Sequence, residues 1–198
     1  SKIIFISNSP LSNEDKCRLR EDLGISDLLE RDNRGFDFAA WRDGMNWLGF
    51  DTLQNSDSLT LMNDTCFGPL WDLEPIYQRF EADSQVDFWG MTNFRKTRYF
   101  EEHLQSYFVT FKQSVLKDKA FHEFWSQVED FTDVQDVIDH YETQFTKRFV
   151  EAGFRYQALF DTRQEEVGEL VHPDFSYYKP LRIPVSYTHL TLPTKRIV

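Results

Sequence analysis

Cysteine is scarce in this chain of 198 residues, with Cys17 and Cys66 its two examples. Neither sits in a CxxC pair or beside a histidine, which excludes a disulfide framework and a zinc knuckle and predicts reduced, buried thiols. Long apolar runs are also missing: no stretch approaches the roughly 20 residues needed to span a bilayer, and no secretory signal is legible at the start. Positive charge is in deficit, with 22 Lys and Arg against 33 Asp and Glu for a formal net charge of −11. Such a balance offers no broad phosphate-binding face, so nucleic acid is not an expected partner. A protein this acidic that handles a diphosphate calls for a divalent cation, Mg²⁺ or Mn²⁺, to offset the repulsion. Repeats, low-complexity tracts and obvious linkers are absent too, which predicts a single domain.

What is abundant is aromatic. Nineteen Phe, eight Tyr and five Trp make up 16% of the chain. That supply suits a packed core and sugar-stacking surfaces alike, and composition does not separate them. Short apolar strands are expected at 3–6, 28–31, 59–62, 86–90, 106–111 and 154–160. Helices are expected at 12–23, from about 38, around 73–80, at 121–128 and at 134–152. Strands alternating with helices at these intervals predict an α/β fold, a mostly parallel, Rossmann-like sheet flanked by helices. Trp41, Trp89 and Tyr107 fall where those patterns need burial and read as core.

The most informative stretch follows the strand at 59–62. It breaks into Asn63-Asp64-Thr65 before a Gly-Pro turn. A polar triplet at the C-terminal end of a buried strand stands where open α/β sheets place their ligands, although Asn and Asp also serve simply to shape turns. A second strand end offers Asn33, Arg34, Gly35 and Asp37, with Gly35 allowing close backbone approach, Arg34 suited to a phosphate and Asp37 equally suited to capping a helix. In a parallel sheet these groups converge on one edge. Asp64 with amide and hydroxyl neighbours is a thin metal site, fit for a cation held jointly with substrate phosphates. His103, Gln105 and Ser106 form a third candidate group beside the basic cluster Arg95, Lys96 and Arg98, which as a charge run is more often a solvated face.

Four motifs stand in register with one family. Arg31-Asp32-Asn33-Arg34-Gly35-Phe36-Asp37-Phe38-Ala39-Ala40-Trp41, Leu61-Met62-Asn63-Asp64-Thr65-Cys66-Phe67-Gly68-Pro69-Leu70, Asp87-Phe88-Trp89-Gly90-Met91-Thr92 and His103-Leu104-Gln105-Ser106-Tyr107-Phe108 resemble the signatures of the rhamnan synthesis protein F family. The likeness covers about residues 2–184. It implies a GT-A-like glycosyltransferase of bacterial surface-polysaccharide assembly, moving a sugar such as rhamnose from a nucleotide-sugar donor to a polysaccharide or lipid-linked glycan acceptor. It further implies a cytoplasmic location, or a peripheral one at the inner face of the membrane. By the same resemblance Asn63-Asp64-Thr65 takes the place of a D-x-D metal motif, of which one acid survives. Residues 141–154 resemble the late helix of inverting enzymes and make Glu142 the candidate base. Without that resemblance, Glu142 reads as a solvated helix residue pairing with a neighbour such as Lys147. On these grounds Glu142 and His103 are expected in catalysis, Asp64 at a metal, and Asn33, Arg34, Gly35, Asp37, Asn63, Thr65, Gln105 and Ser106 around the donor. The different-class alternative is a non-catalytic carbohydrate-binding or assembly module, which the degenerate triplet favours.

The ends carry expectations of their own. The chain opens without Met and almost directly in a strand, which suggests missing upstream sequence. The run Val185-Ser186-Tyr187-Thr188-His189-Leu190-Thr191-Leu192-Pro193-Thr194 resembles the in-frame translation of a sequencing-library adapter. The expected division is therefore a truncated domain at 1–184 and a foreign tail at 185–198.

Overall fold

The computed structural model describes residues 2–64 and 66–161, together with the backbone of a short strand at Ser186–Tyr187. Apart from that strand, the tail expected to be foreign lies outside the described residues, as does Thr65.

The first strand, β1 (Ile4–Ser7), leads into α1 (Asn13–Glu21). Ser12 starts that helix: its Oγ accepts the Asp15 N–H at 3.0 Å and donates to Asp15 Oδ2 at 2.6 Å, so residue and helix satisfy each other. β2 (Asp27–Glu30) then pairs in parallel with β1 as a separate two-stranded sheet, Ile4 opposite Asp27. After α2 (Phe36–Leu48) and α3 (Phe50–Gln54) comes β3 (Ser58–Met62). The chain continues through β4 (Cys66–Phe67), α4 (Glu74–Ala82), β5 (Phe88–Phe94), β6 (His103–Leu104) and β7 (Phe108–Lys112). Helices α5 (Gln113–Leu116), α6 (Lys119–Ser126) and α7 (Val134–Val137) follow. α7 runs without a break through a π-helical turn, Ile138–Glu142, into α8 (Thr143–Glu151), and β8 (Tyr156–Phe160) follows. The strand at Ser186–Tyr187, β9, pairs antiparallel with β4.

The fold is α/β, as expected, but the mostly parallel, Rossmann-like or GT-A-like sheet is overturned. In the five-stranded sheet β7 lies antiparallel between β3 and β5, and β6 is antiparallel to β5. Among the described residues, parallel pairing there is confined to β5 with β8. The reason is the length of the connections. Residues 95–102 and 105–107 link β5, β6 and β7 with no helix between, and a parallel crossover needs a dozen or more residues, usually helical, so the chain turns straight back. The stretch read as a charged loop at 91–102 is thus largely a hairpin, and β5 runs on through Phe94.

The sheet separates two apolar layers by strand alternation. Phe88, Val109 and Phe111 face α2, α6 and α8 with Phe38, Trp41, Phe121, Trp125 and Phe149. Trp89, Met91 and Phe108 face the other way, against Phe80 of α4 and Tyr107. Phe80 stacks on Trp89 at 4.4 Å between ring centroids, both fully buried. Emptying either place would cost about 3–5 kcal/mol. The aromatic excess is therefore chiefly core, and Trp41, Trp89 and Tyr107 are buried in it. Of the thiols expected to be buried, Cys17 is exposed on α1, a helix polar nearly all round, and Cys66 is half-buried. Among the described residues no helix is long and apolar enough to cross a membrane.

Candidate functional site

β3 and β5 both oppose β7, and β8 runs with β5, so the C-terminal ends of β3, β5 and β8 share one edge of the sheet, where β7 begins. The residues just beyond β3 and just before β7 are the ones that sequence reading had marked. Asn63 donates its backbone N–H to Tyr107 O at 3.2 Å, and its Nδ2 donates to Asp37 Oδ2 at 2.8 Å. The indole of Trp41 donates to Met62 O at 3.3 Å, fixing the same strand end to α2. One residue before Tyr107, the Ser106 N–H donates to Glu142 Oε1 at 3.4 Å. Asp37, Asn63, Ser106 and Glu142, from four separated stretches of sequence, are so joined through three successive links. Gln105 belongs to the same segment: its Oε1 accepts from Thr92 Oγ1 at 2.7 Å, while Thr92 also shares a hydrogen bond with the Tyr107 hydroxyl at 2.8 Å.

Glu142 ends the π-helical turn and is half-buried, not a solvated helix acid. A π turn widens the helix by one residue, and such turns recur where a side chain must leave regular helical phase. Lys147 pairs instead with Glu151, at 3.8 Å. Below Glu142, Thr146 Oγ1 accepts the buried Leu104 N–H at 3.0 Å, which ties α8 to β6. Tyr141, on the inner side of the turn, accepts the Glu129 N–H at 2.7 Å, and burial pushes its phenol up.

The other loop is built for rigidity. Arg31 donates to Asp43 Oδ2 at 2.8 Å, Asn8 Oδ1 at 2.7 Å and Arg34 O at 2.7 Å, stapling residues 31–35 to β1 and α2. Gly35 is left-handed at φ +67 and donates to Phe131 O at 2.7 Å. A Cβ there would lie 2.5 Å from Ala39 Cβ and 2.9 Å from Glu129 O, so the close approach it permits is to its own chain. Asp37 stands in the first turn of α2. Asn33 and Arg34 are exposed and are not drawn into the hydrogen-bonded chain that holds Asp37. They follow a cavity of about 370 Å³ lined by Pro10, Glu30, Arg31 and Asp32, beyond the ends of the parallel strands β1 and β2.

Two of the expected catalytic and metal positions look different in place. His103 is buried, with Nδ1 on Glu101 O at 2.9 Å and its ring stacked on Phe94 at 5.3 Å. Asp64 is exposed on the turn after β3. Among the described residues no three His, Cys, Asp or Glu side chains converge, so Asp64 offers one carboxylate, which suits a cation only where substrate phosphates complete the shell.

Sequence reasoning missed a polar cluster at the same edge. Asn93 Nδ2 donates to Glu102 Oε1 at 3.0 Å and to Asp161 Oδ1 at 3.1 Å, and the Tyr156 hydroxyl donates to Glu102 Oε1 at 2.8 Å. The available signal was Thr92-Asn93 ending an apolar run, the pattern that had singled out Asn63-Asp64.

Comparison with known proteins agrees with the motifs. The model of a family described as rhamnan synthesis protein F matches residues 3–185. The uncharacterized protein y4gN of Sinorhizobium fredii is 30% identical over 159 residues, covering 80% of this chain and 40% of that protein. The virulence protein VirA of Vibrio anguillarum is 29% identical over 135 residues, 67% of this chain and 41% of that one. The aligned region thus spans about two-fifths of these curated relatives. No solved structure matches.

Proposed function

The chain belongs to the rhamnan synthesis protein F family, and we propose that within polysaccharide synthesis it transfers a sugar from a nucleotide-sugar to a growing surface glycan with inversion. The observation that carries the reading is the link of Glu142 to Ser106, beside Tyr107 and the Asn63–Asp37 pair. It puts a half-buried carboxylate at the sheet edge where β3 delivers its polar turn. The step needs one proton acceptor. An acceptor hydroxyl attacks the anomeric carbon and forms the new C–O bond. Glu142 takes the hydroxyl proton, and the old C–O bond breaks with its electron pair leaving on the diphosphate. Arg34 and Asn33, exposed on a loop stapled by Arg31, would contact that diphosphate, and Asn63 (held by Asp37), Gln105 and Ser106 would line the donor side. His103 acts from beneath, through the hairpin it stabilises. Asp64 would hold Mg²⁺ or Mn²⁺ jointly with the diphosphate, and the chemistry such an ion supplies is neutralisation of the departing charge.

The test is a donor screen on the complete reading frame with wild type, Asp64→Ala and Glu142→Gln. Loss of the base lowers turnover about a hundredfold or more while the fold stands. Turnover by Glu142→Gln equal to wild type removes Glu142 from the mechanism. The single carboxylate at Asp64 favours one other reading, a carbohydrate-binding or assembly module without turnover. Thermal melts with Mn²⁺ and dTDP-rhamnose or UDP-sugars separate the two, because a ligand bound by the folded form raises the melting temperature.

A further inference from the structure

The turn at 105–107, between β6 and β7, is where the two halves of the proposed site meet. Its Ser106 N–H donates to Glu142 Oε1 at 3.4 Å, and its Tyr107 carbonyl accepts the Asn63 N–H at 3.2 Å. The spacing between the candidate base and the Asn63–Asp37 pair is therefore no stiffer than this turn. A short segment between two strands holds one shape only where side chains or neighbouring strands tie it down.

What ties it is Thr92, on β5. The Thr92 carbonyl accepts the Gln105 N–H at 3.0 Å, and its hydroxyl donates to Gln105 Oε1 at 2.7 Å. The same hydroxyl oxygen lies 2.8 Å from the Tyr107 hydroxyl. A threonine hydroxyl carries one proton, and with that proton given to Gln105 the Tyr107 O–H must be the donor to Thr92. One oxygen thus grips the residues on both sides of Ser106. It does so away from water, since Thr92 is fully buried and Tyr107 nearly so. Bonds in such a place hold firmly, because no solvent stands by to replace one that breaks.

Bulk does not call for threonine at this position. β5 is apolar from Phe88 to Met91, and valine would fill nearly the same space without a hydroxyl to satisfy. What the hydroxyl adds is its hold on Gln105 and Tyr107. We propose that Thr92 is a positioning residue, whose hydroxyl fixes the 105–107 turn and so sets the separation of Glu142 from Asn63. Its role in sugar transfer rests on the transferase reading, whereas the lock on the turn does not.

Transfer from dTDP-rhamnose or a UDP-sugar to a rhamnose trisaccharide, by the complete protein, tests the role in catalysis. Buried Thr92 touches no substrate, so Thr92→Val lowers kcat roughly ten- to a hundredfold, the scale of an ångström's misplacement, and leaves the donor KM within about threefold. Thr92→Ser keeps the hydroxyl and gives up a buried methyl. It returns kcat to within about threefold of wild type although it melts lower. A hydroxyl needed for stability alone would leave kcat per folded molecule unchanged in Thr92→Val, and that result overturns the proposal. So does a Thr92→Ser as slow as Thr92→Val. Tyr107→Phe removes one of the two grips and serves if Thr92→Val does not fold; wild-type kcat in Tyr107→Phe then overturns the proposal.

Native-state hydrogen exchange on the same proteins reads the lock without any substrate. The Ser106 and Asn63 amides exchange about tenfold faster in Thr92→Val than in wild type or Thr92→Ser, and equal rates overturn the lock. If wild type transfers no sugar, the transferase reading fails, and exchange alone decides whether Thr92 holds the turn.

Discussion

Gly35 and Gly24 make a controlled pair, because both stand at φ +67 and differ in what surrounds them. Around Gly24 a Cβ would meet nothing within 4 Å. Around Gly35 it would meet Ala39 Cβ at 2.5 Å, Glu129 O at 2.9 Å and Asp130 Cα at 3.1 Å, and two of those are backbone. Gly24→Ala therefore bears only the left-handed backbone term, about 1–2 kcal/mol, less the stiffening of the unfolded chain, about 0.4–1 kcal/mol. Gly35→Ala bears the same terms and adds an overpacking cost of about 1–3 kcal/mol, since α2 or the 129–131 segment must shift. The difference between the two variants should come out at about 1–3 kcal/mol, or roughly 2–12 °C in melting temperature for a chain of this size. Urea unfolding followed by tryptophan fluorescence reads it, and two variants of equal stability would refute the packing argument. If it holds, inactivity of Gly35→Ala says nothing about substrate, because the loop has lost its seat first.

Three further outcomes follow from the hydrogen bonds and thiols. Thr146→Val keeps the volume but strands the buried Leu104 N–H, at a cost of about 1–3 kcal/mol in urea unfolding; a loss under about 0.5 kcal/mol would show that the bond matters little. At Asp87, burial pushes the carboxyl up, but the Arg155 N–H at 2.9 Å and guanidinium at 3.1 Å outweigh it and hold the group below its ordinary 3.8. Its stabilising contribution is then present above that value and fades as pH falls through the lowered one, so Asp87→Asn should flatten the stability curve below about pH 4, and an unaltered acid limb would count against the pair. Cys66, with its thiol pushed up to about 12 by burial, should resist iodoacetamide at pH 8 until the protein unfolds, while exposed Cys17 alkylates in the native state; mass spectrometry that found Cys66 labelled first would contradict the packing around it.

Helices and strands were largely readable because their signals are local. Ser12 with Asp15 marked the start of α1, and Phe121, Phe124 and Trp125 marked the inner face of α6. Strand direction was not readable in the same way. It is decided by whether a connection has room for a crossover, and 91–102 looked like a loop because Arg95, Lys96 and Arg98 masked an apolar strand running on through Phe94. For the candidate site, a polar residue ending an apolar run was a usable sign, which is how Asn63 came to notice, whereas Ser106 was marked by its place beside the basic cluster and in the motif from His103 to Phe108. The link between Asn63 and Asp37 depends on how α2 docks, and no spacing in the sequence encodes it. At Gly35 the need for a small residue was legible, while the neighbours that require it, Ala39 and Glu129 of the same chain, were not.

The wide turn at Ile138–Glu142 takes up one more residue than an ordinary helical turn while leaving α7 and α8 in nearly the same rotational phase. Removing one residue from this span would let the turn close to regular α-helix, with Val137 on one side and Phe145 and Phe149 on the other still facing inward. What such a deletion would take away is the outward swelling from which Glu142 leaves the helix. Shortening 138–142 by one residue should therefore spare the fold and displace that carboxylate, which makes the length of the turn a matter for the site more than for the core.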